Sequence, residues 1–266
     1  MLTPDKVMRN ILLVISLLLF HVFANGEQIE LRGTYQGENL YVKNPFAASG
    51  VGFCVYEVTV NGITSTDEIN SAAFEIDLSV FGFALGEPIV VTINYKEGCV
   101  PSVLNPGVLN AKTSFVAEDL KIEGDKIVWR TRGETGSLPF VVEQFRWNKW
   151  VTVAQVDGVG VSGQHNYSAP VRFHAGENRF RIRQTDSRKV NRYSAELVYK
   201  SSASQITYTQ TSGGRAIEFS APTMYELYDS FGRIIVKGYG KTLQMDDLAK
   251  GSYYLNYDNK MDVVRR

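Results

Sequence analysis

The residues able to do chemistry in this chain are few, and their spacing excludes most catalytic centres. His165 and His174 are the only histidines beyond residue 24, and each falls in or beside a loop. Gly160-Val161-Ser162-Gly163 is one residue out of the G-x-S-x-G nucleophile pattern and lacks the strand-to-helix turn that exposes such a serine. No H-E-x-x-H pair, Walker loop or Asp-rich calcium loop is present. Glu134, Glu143 and Glu177 are acids of the kind glycoside hydrolysis uses in pairs at a defined separation. Nothing in the sequence brings them together, and they read as surface residues. The expectation is a non-enzymatic protein with no catalytic residue, metal or cofactor.

Two features suit binding. Trp147-Asn148-Lys149-Trp150 falls at a hairpin tip. An exposed Trp147 beside Arg146 and Lys149 would stack on a sugar or enter a partner's pocket; the alternative is a Trp folded back on its own sheet. Arg179, Arg181 and Arg183 alternate with Phe180 and Ile182, so the guanidinium groups share one strand face. That face would meet the carboxylates or phosphates of a surface polysaccharide, or else be balanced by Glu on a neighbouring strand. Cys54 and Cys99 are the only cysteines. In an exported chain they permit a disulfide closing a loop of about 45 residues; two separate thiols are the alternative. With no nearby His they make no closed zinc site.

The elements that would position these residues are strands. Aromatic residues make up 12% of the chain and few segments carry a helical period, which indicates an all-β fold. Lys+Arg and Asp+Glu number 28 each, so no field of one sign recommends nucleic acid as a partner. Met1 to Ala24 reads as a signal peptide: Lys6 and Arg9 precede an apolar run too short to span a bilayer, and cleavage is expected after Ala24. No later run is long enough to cross a membrane. Residues 25–112 carry alternating strands, with a hairpin at Asn61-Gly62, and suggest a β-sandwich. Residues 113–200 hold about seven strands, the count of a fibronectin type III-like sandwich. Lys200 to Gln205 reads as a linker to a small antiparallel unit, the domain taken as 201–266.

That last unit resembles a known family. It reads MYELYDSFGRIIVKGYGKTLQMDDLAKGSYYLNYDNKMDVVRR from Met224 to Arg266. The turn at Asp229, Gly232 and Arg233, the apolar Leu248, Gly251 and Tyr253, and the basic end Arg265-Arg266 are similar to a type A C-terminal sorting domain of the Bacteroidota type IX secretion system. A Tyr-Pro-Asn-Pro opening, frequent in such domains, is missing. The resemblance implies export to the cell surface and recognition by the outer-membrane translocon and its β-barrel shuttle protein. It makes Arg265 and Arg266 ion-pair donors and has the Gly232 and Gly251 turns fix the shape. Residues 113–200 resemble the fibronectin type III-like modules of Bacteroidota surface proteins through Trp129, Val142-Glu143, Trp150, Arg179 to Asp186, and Tyr193-Ser194. The run from Leu40 to Pro106 is similar to an N-terminal unit of such proteins, a likeness that implies no activity. Together these imply a component associated with the secretion or gliding-motility machinery, or a glycan-binding or adhesion module.

Overall fold

The computed structural model describes residues 27–266, all of whose regular structure is β-strand or short 3-10 turn. The leader expected over Met1 to Ala24 lies outside the described residues. Every strand pair is antiparallel, and the fold is all-β. Three separate hydrophobic clusters succeed one another along the chain.

The first cluster is enclosed by β1 (Glu27–Thr34), β2 (Leu40–Lys43), β3 (Val55–Val60), β4 (Ile63–Thr64), β5 (Ala73–Ile76), β6 (Pro88–Tyr95) and β7 (Ser102–Val103). One sheet runs β1-β6-β3-β4 and the other β5-β2-β7. Period-2 alternation decides what is buried: Ile89, Val91, Ile93 and Tyr95 of β6 all face inward. Asn61 and Gly62 both take positive φ, as the tight β3–β4 turn requires. Cys54 and Cys99 are joined, so of the two alternatives the structure takes the bridge.

The second cluster lies between β8 (Val116–Glu123), β9 (Lys126–Arg132) and β12 (Gln164–Pro170) on one side and β10 (Phe140–Arg146), β11 (Lys149–Val156), β13 (Gly176–Thr185), β14 (Asn191–Tyr193) and β15 (Leu197–Ser201) on the other. Sheet order β12-β9-β8 against β11-β10-β13, with β14 and β15 both pairing β13, is the arrangement of a fibronectin type III-like sandwich. Trp129, Phe140 and Tyr167 pack ring against ring at its centre.

The third cluster belongs to β16 (Tyr208–Gln210), β17 (Ala216–Tyr228), β18 (Ile234–Gln244), β19 (Ser252–Tyr257) and β20 (Lys260–Arg265). β17 is long and broken in register between Glu218 and Thr223, where Pro222 offers no N–H to the ladder. Its first part pairs β16 and its second part β19. Leu243 follows the glycines Gly238 and Gly240, a composition that suits a loop. In the structure it ends strand β18, because Ala216 to Glu218 supplies a partner for Thr242 to Gln244.

Candidate functional site

The arginine face forms a ladder on the β13 side of the second unit. Arg181 lies over Trp150 at 4.2 Å and over Tyr193 at 4.1 Å. Arg179 lies over Phe145 at 4.8 Å and pairs with Glu196 at 2.6 Å. Glu143, on the adjacent strand β10, takes Arg181 at 2.7 Å and Arg183 at 2.8 Å. Aromatic rings and carboxylates thus both engage Arg179 and Arg181, and a carboxylate engages Arg183. Of the two alternatives the structure takes the second: the arginines are balanced by Glu on a neighbouring strand and do not form a row of free donors. Glu143 is correspondingly buried, not a surface residue, because it serves two cations.

Trp147 also departs from the exposed reading: it is 6% exposed. It and Asn148 form the two-residue β10–β11 turn with φ of 51° and 58°. Such a turn favours Asn-Gly, and a bulky residue there costs about 1 kcal/mol or more. Contacts with the third unit surround this tip. Arg146, 3% exposed, donates through Nη1 to the Asp258 carbonyl at 2.7 Å, through Nε to Gln144 at 2.7 Å and through Nη2 to the Arg172 carbonyl at 3.1 Å. Burial lowers its pKa to about 10, so it stays charged at neutral pH. Lys149 donates to Glu226 and to the Tyr228 hydroxyl, each at 2.6 Å, and its ammonium lies near both the Trp147 and Tyr228 rings. His174, fully buried, sits close enough for Arg146 and Asp258 to bear on its titration; burial is the largest cause and lowers its pKa. A cleft of about 270 Å³ opens on this seam, with Gln144, Arg146, Arg172, Thr223, Tyr239 and Asp258 on its walls.

The junction between the first and second units is equally close. Glu134 is 1% exposed, which overturns its reading as a surface acid. Its carboxylate accepts from Tyr167 Oη at 2.9 Å, from Gly160 N at 2.8 Å and from the Thr131 hydroxyl. This fixes the loop around Gly160, against which Gly86 of the first unit packs so closely that a Cβ at Gly86 would strike the Gly160 carbonyl. Gln36 bonds the Thr135 carbonyl across the same junction. Glu177 is exposed. Among the described residues no group of His, Cys, Asp and Glu is placed to hold a metal.

In the third unit, Asp229 Oδ1 accepts from the Phe231 and Arg233 amides, both at 2.9 Å, and its other oxygen pairs with Arg233 at 2.6 Å. These donors, the Arg233 amide foremost, lower its pKa. Gly232 takes φ 77°, while Gly251 does not adopt positive φ and meets no close neighbour. Gly251 sits in the bend that leads into β19, and its backbone pairs with that of Arg266. Tyr253 donates to the Ala249 carbonyl at 2.8 Å, and Leu248 packs beside the core. Arg266 is held by the carbonyls of Met245, Asp246 and Gly213 at 2.8–3.2 Å, which ties the chain end to its own unit. Arg265 is exposed. An apolar row crosses this sheet in register, Ile234, Tyr228, Tyr254 and Val263, and the nearby Phe231 is 81% exposed.

No family model matches the chain, and no curated protein does. Solved structures resemble it distantly. A four-repeat segment from the extending region of a large adhesion protein shares 9% identity at a TM-score of 0.33, covering 90% of this chain and 72% of that one. The central fibronectin-III array of a RIM-binding protein shares 11% identity at 0.18, over 81% of this chain and 90% of that one. The BSP domain of a biofilm associated protein shares 7% at 0.18, over 90% and 81% respectively. Likenesses this distant place the chain in no family.

Sequence reasoning missed both junctions. Arg146 carried no sign of interior placement, and Glu134 resembled any loop acid. The one usable signal was Trp-Asn at a two-residue turn where glycine is expected.

Proposed function

We propose that the protein is a non-catalytic module of the bacterial cell surface, serving adhesion as a closely joined array of β-sandwich units. The supporting observation is that successive units meet through buried side chains and tight backbone contact: Glu134, Gly160 and Gly86 at one junction, Arg146 and Lys149 at the other. An adhesive array transmits force and holds its binding surface away from the cell, and packed junctions suit both tasks. The Cys54–Cys99 bridge accords with maturation outside the cytoplasm. The C-terminal unit is read as the address for type IX export. The Phe231 turn and the apolar row beside it would meet the shuttle protein, with Arg265 the terminal cation still exposed.

The test is attachment. Cells lacking the protein, and cells displaying it, are compared for retention on polysaccharide-coated surfaces. Lower retention without the protein supports the reading; equal retention opposes it. A second reading is an accessory component of the secretion or gliding machinery. It is favoured by the way Lys149 and Arg146 hold the third unit against the second, since an address that stays attached suits a resident component. Co-purification with outer-membrane secretion proteins, with no effect on attachment, would select it.

A further inference from the structure

We infer that the cleft between the second and third units binds a small carboxylate-bearing ligand, of the size of one acidic monosaccharide. The inference does not depend on the adhesion reading. The cleft holds about 270 Å³, near the lower edge of the ~300–1,000 Å³ typical of small-ligand pockets. Its walls carry two guanidinium groups, Arg146 and Arg172, against a single carboxylate, Asp258. Among the described residues neither arginine has an ion pair, although almost every other buried or half-buried arginine in the second unit has one.

Arg146 is nearly inaccessible, and a buried cation is costly unless its donors and its charge are both answered. Three of its N–H groups reach neutral oxygens, on Gln144, Asp258 and Arg172. A guanidinium has five, so two remain for a ligand in the cleft. The Arg172 guanidinium carbon lies 4.2 Å from the centre of the Tyr239 ring, a cation–π contact that holds the head group at the cleft wall. A planar fork of this kind matches a carboxylate. Tyr239, Thr223 and Gln144 give the polar and aromatic surroundings in which a sugar ring is held, while Ile206, Val171 and Met224 supply the apolar part of the wall.

The experiment titrates the full mature chain with glucuronic acid, acetate and glucose, followed by calorimetry and by amide chemical shifts. Glucuronate is expected to bind, with shifts centred on residues 144–146, 172, 223, 239 and 258, and glucose to bind at least about tenfold more weakly, the worth of one charge-assisted contact. Acetate separates the sources: binding as tight as glucuronate means a free small acid is read, and weaker binding means the sugar is read too; both support the carboxylate. Arg172→Gln alters an exposed side chain, so the fold should persist, and it should weaken glucuronate about tenfold. The inference is overturned if neither acid binds, if glucose matches glucuronate, or if Arg172→Gln leaves affinity unchanged.

Discussion

At the scale of single residues, the buried charges and the buried imidazole carry most of what is testable. Arg146→Met removes three hydrogen bonds and leaves Gln144 and two carbonyls short of a donor. A loss of about 3 kcal/mol is expected, measured by urea unfolding followed at the third unit. His174 gives a pH dependence whose sign can be worked out. Burial lowers its pKa below the ordinary 6.5, so the unfolded chain takes up a proton first as pH falls. Its contribution is complete above about pH 6.5 and is lost as pH drops from there toward the folded value. Asp229 and Asp186, whose pKa values are also lowered, contribute stability in full above the ordinary carboxylate value of 3.8 and lose it only in stronger acid, so they add no slope between pH 5.5 and 7.5. Unfolding midpoints near pH 7.5 and near pH 5.5 should therefore differ, and His174→Gln should flatten that difference. An unaltered slope in the variant would mean another group titrates.

At the scale of elements, legibility followed period and turn chemistry. The alternation of Ile89 to Tyr95 and the Asn61-Gly62 turn announced β6 and the β3–β4 hairpin because burial and positive φ are local demands. The first half of β17 was hidden because Pro222 and the register break interrupt its alternation, and with it went the partner that extends β18. The arginine face was visible as a face, but its neighbours were not: Trp150, Tyr193 and Glu143 reach it only through pairing of distant segments. The same limit concealed the junctions. Two substitutions separate junction packing from turn strain. Gly124→Ala, at φ 62° with open space around it, should cost about 1 kcal/mol from backbone alone. Gly86→Ala, also at positive φ (86°), adds a collision with the Gly160 carbonyl across the junction and should cost clearly more, with increased protease sensitivity between the first and second units. Replacing Cys54 and Cys99 together by Ser should remove roughly 3–4 kcal/mol from the first unit in the chain-entropy view, and leave the unfolding of the other two in place.

At the scale of the whole molecule, three cores are joined by contacts that no single unit can satisfy alone. Arg146 in the second unit needs a carbonyl from the third, and the loop held by Glu134 presses on the first. The C-terminal unit is thereby a structural part of the molecule. The stretch from Ser202 to Thr207 carries no strand and is the natural place for proteolysis, yet separation there would uncover Arg146, Trp147 and Glu226. The most direct measurement is the intact mass of the protein recovered from the surface of its own cells. A surface-exposed chain extending to Arg266 is the expected result. A surface form ending near Ser204, or a protein absent from the surface, would contradict it.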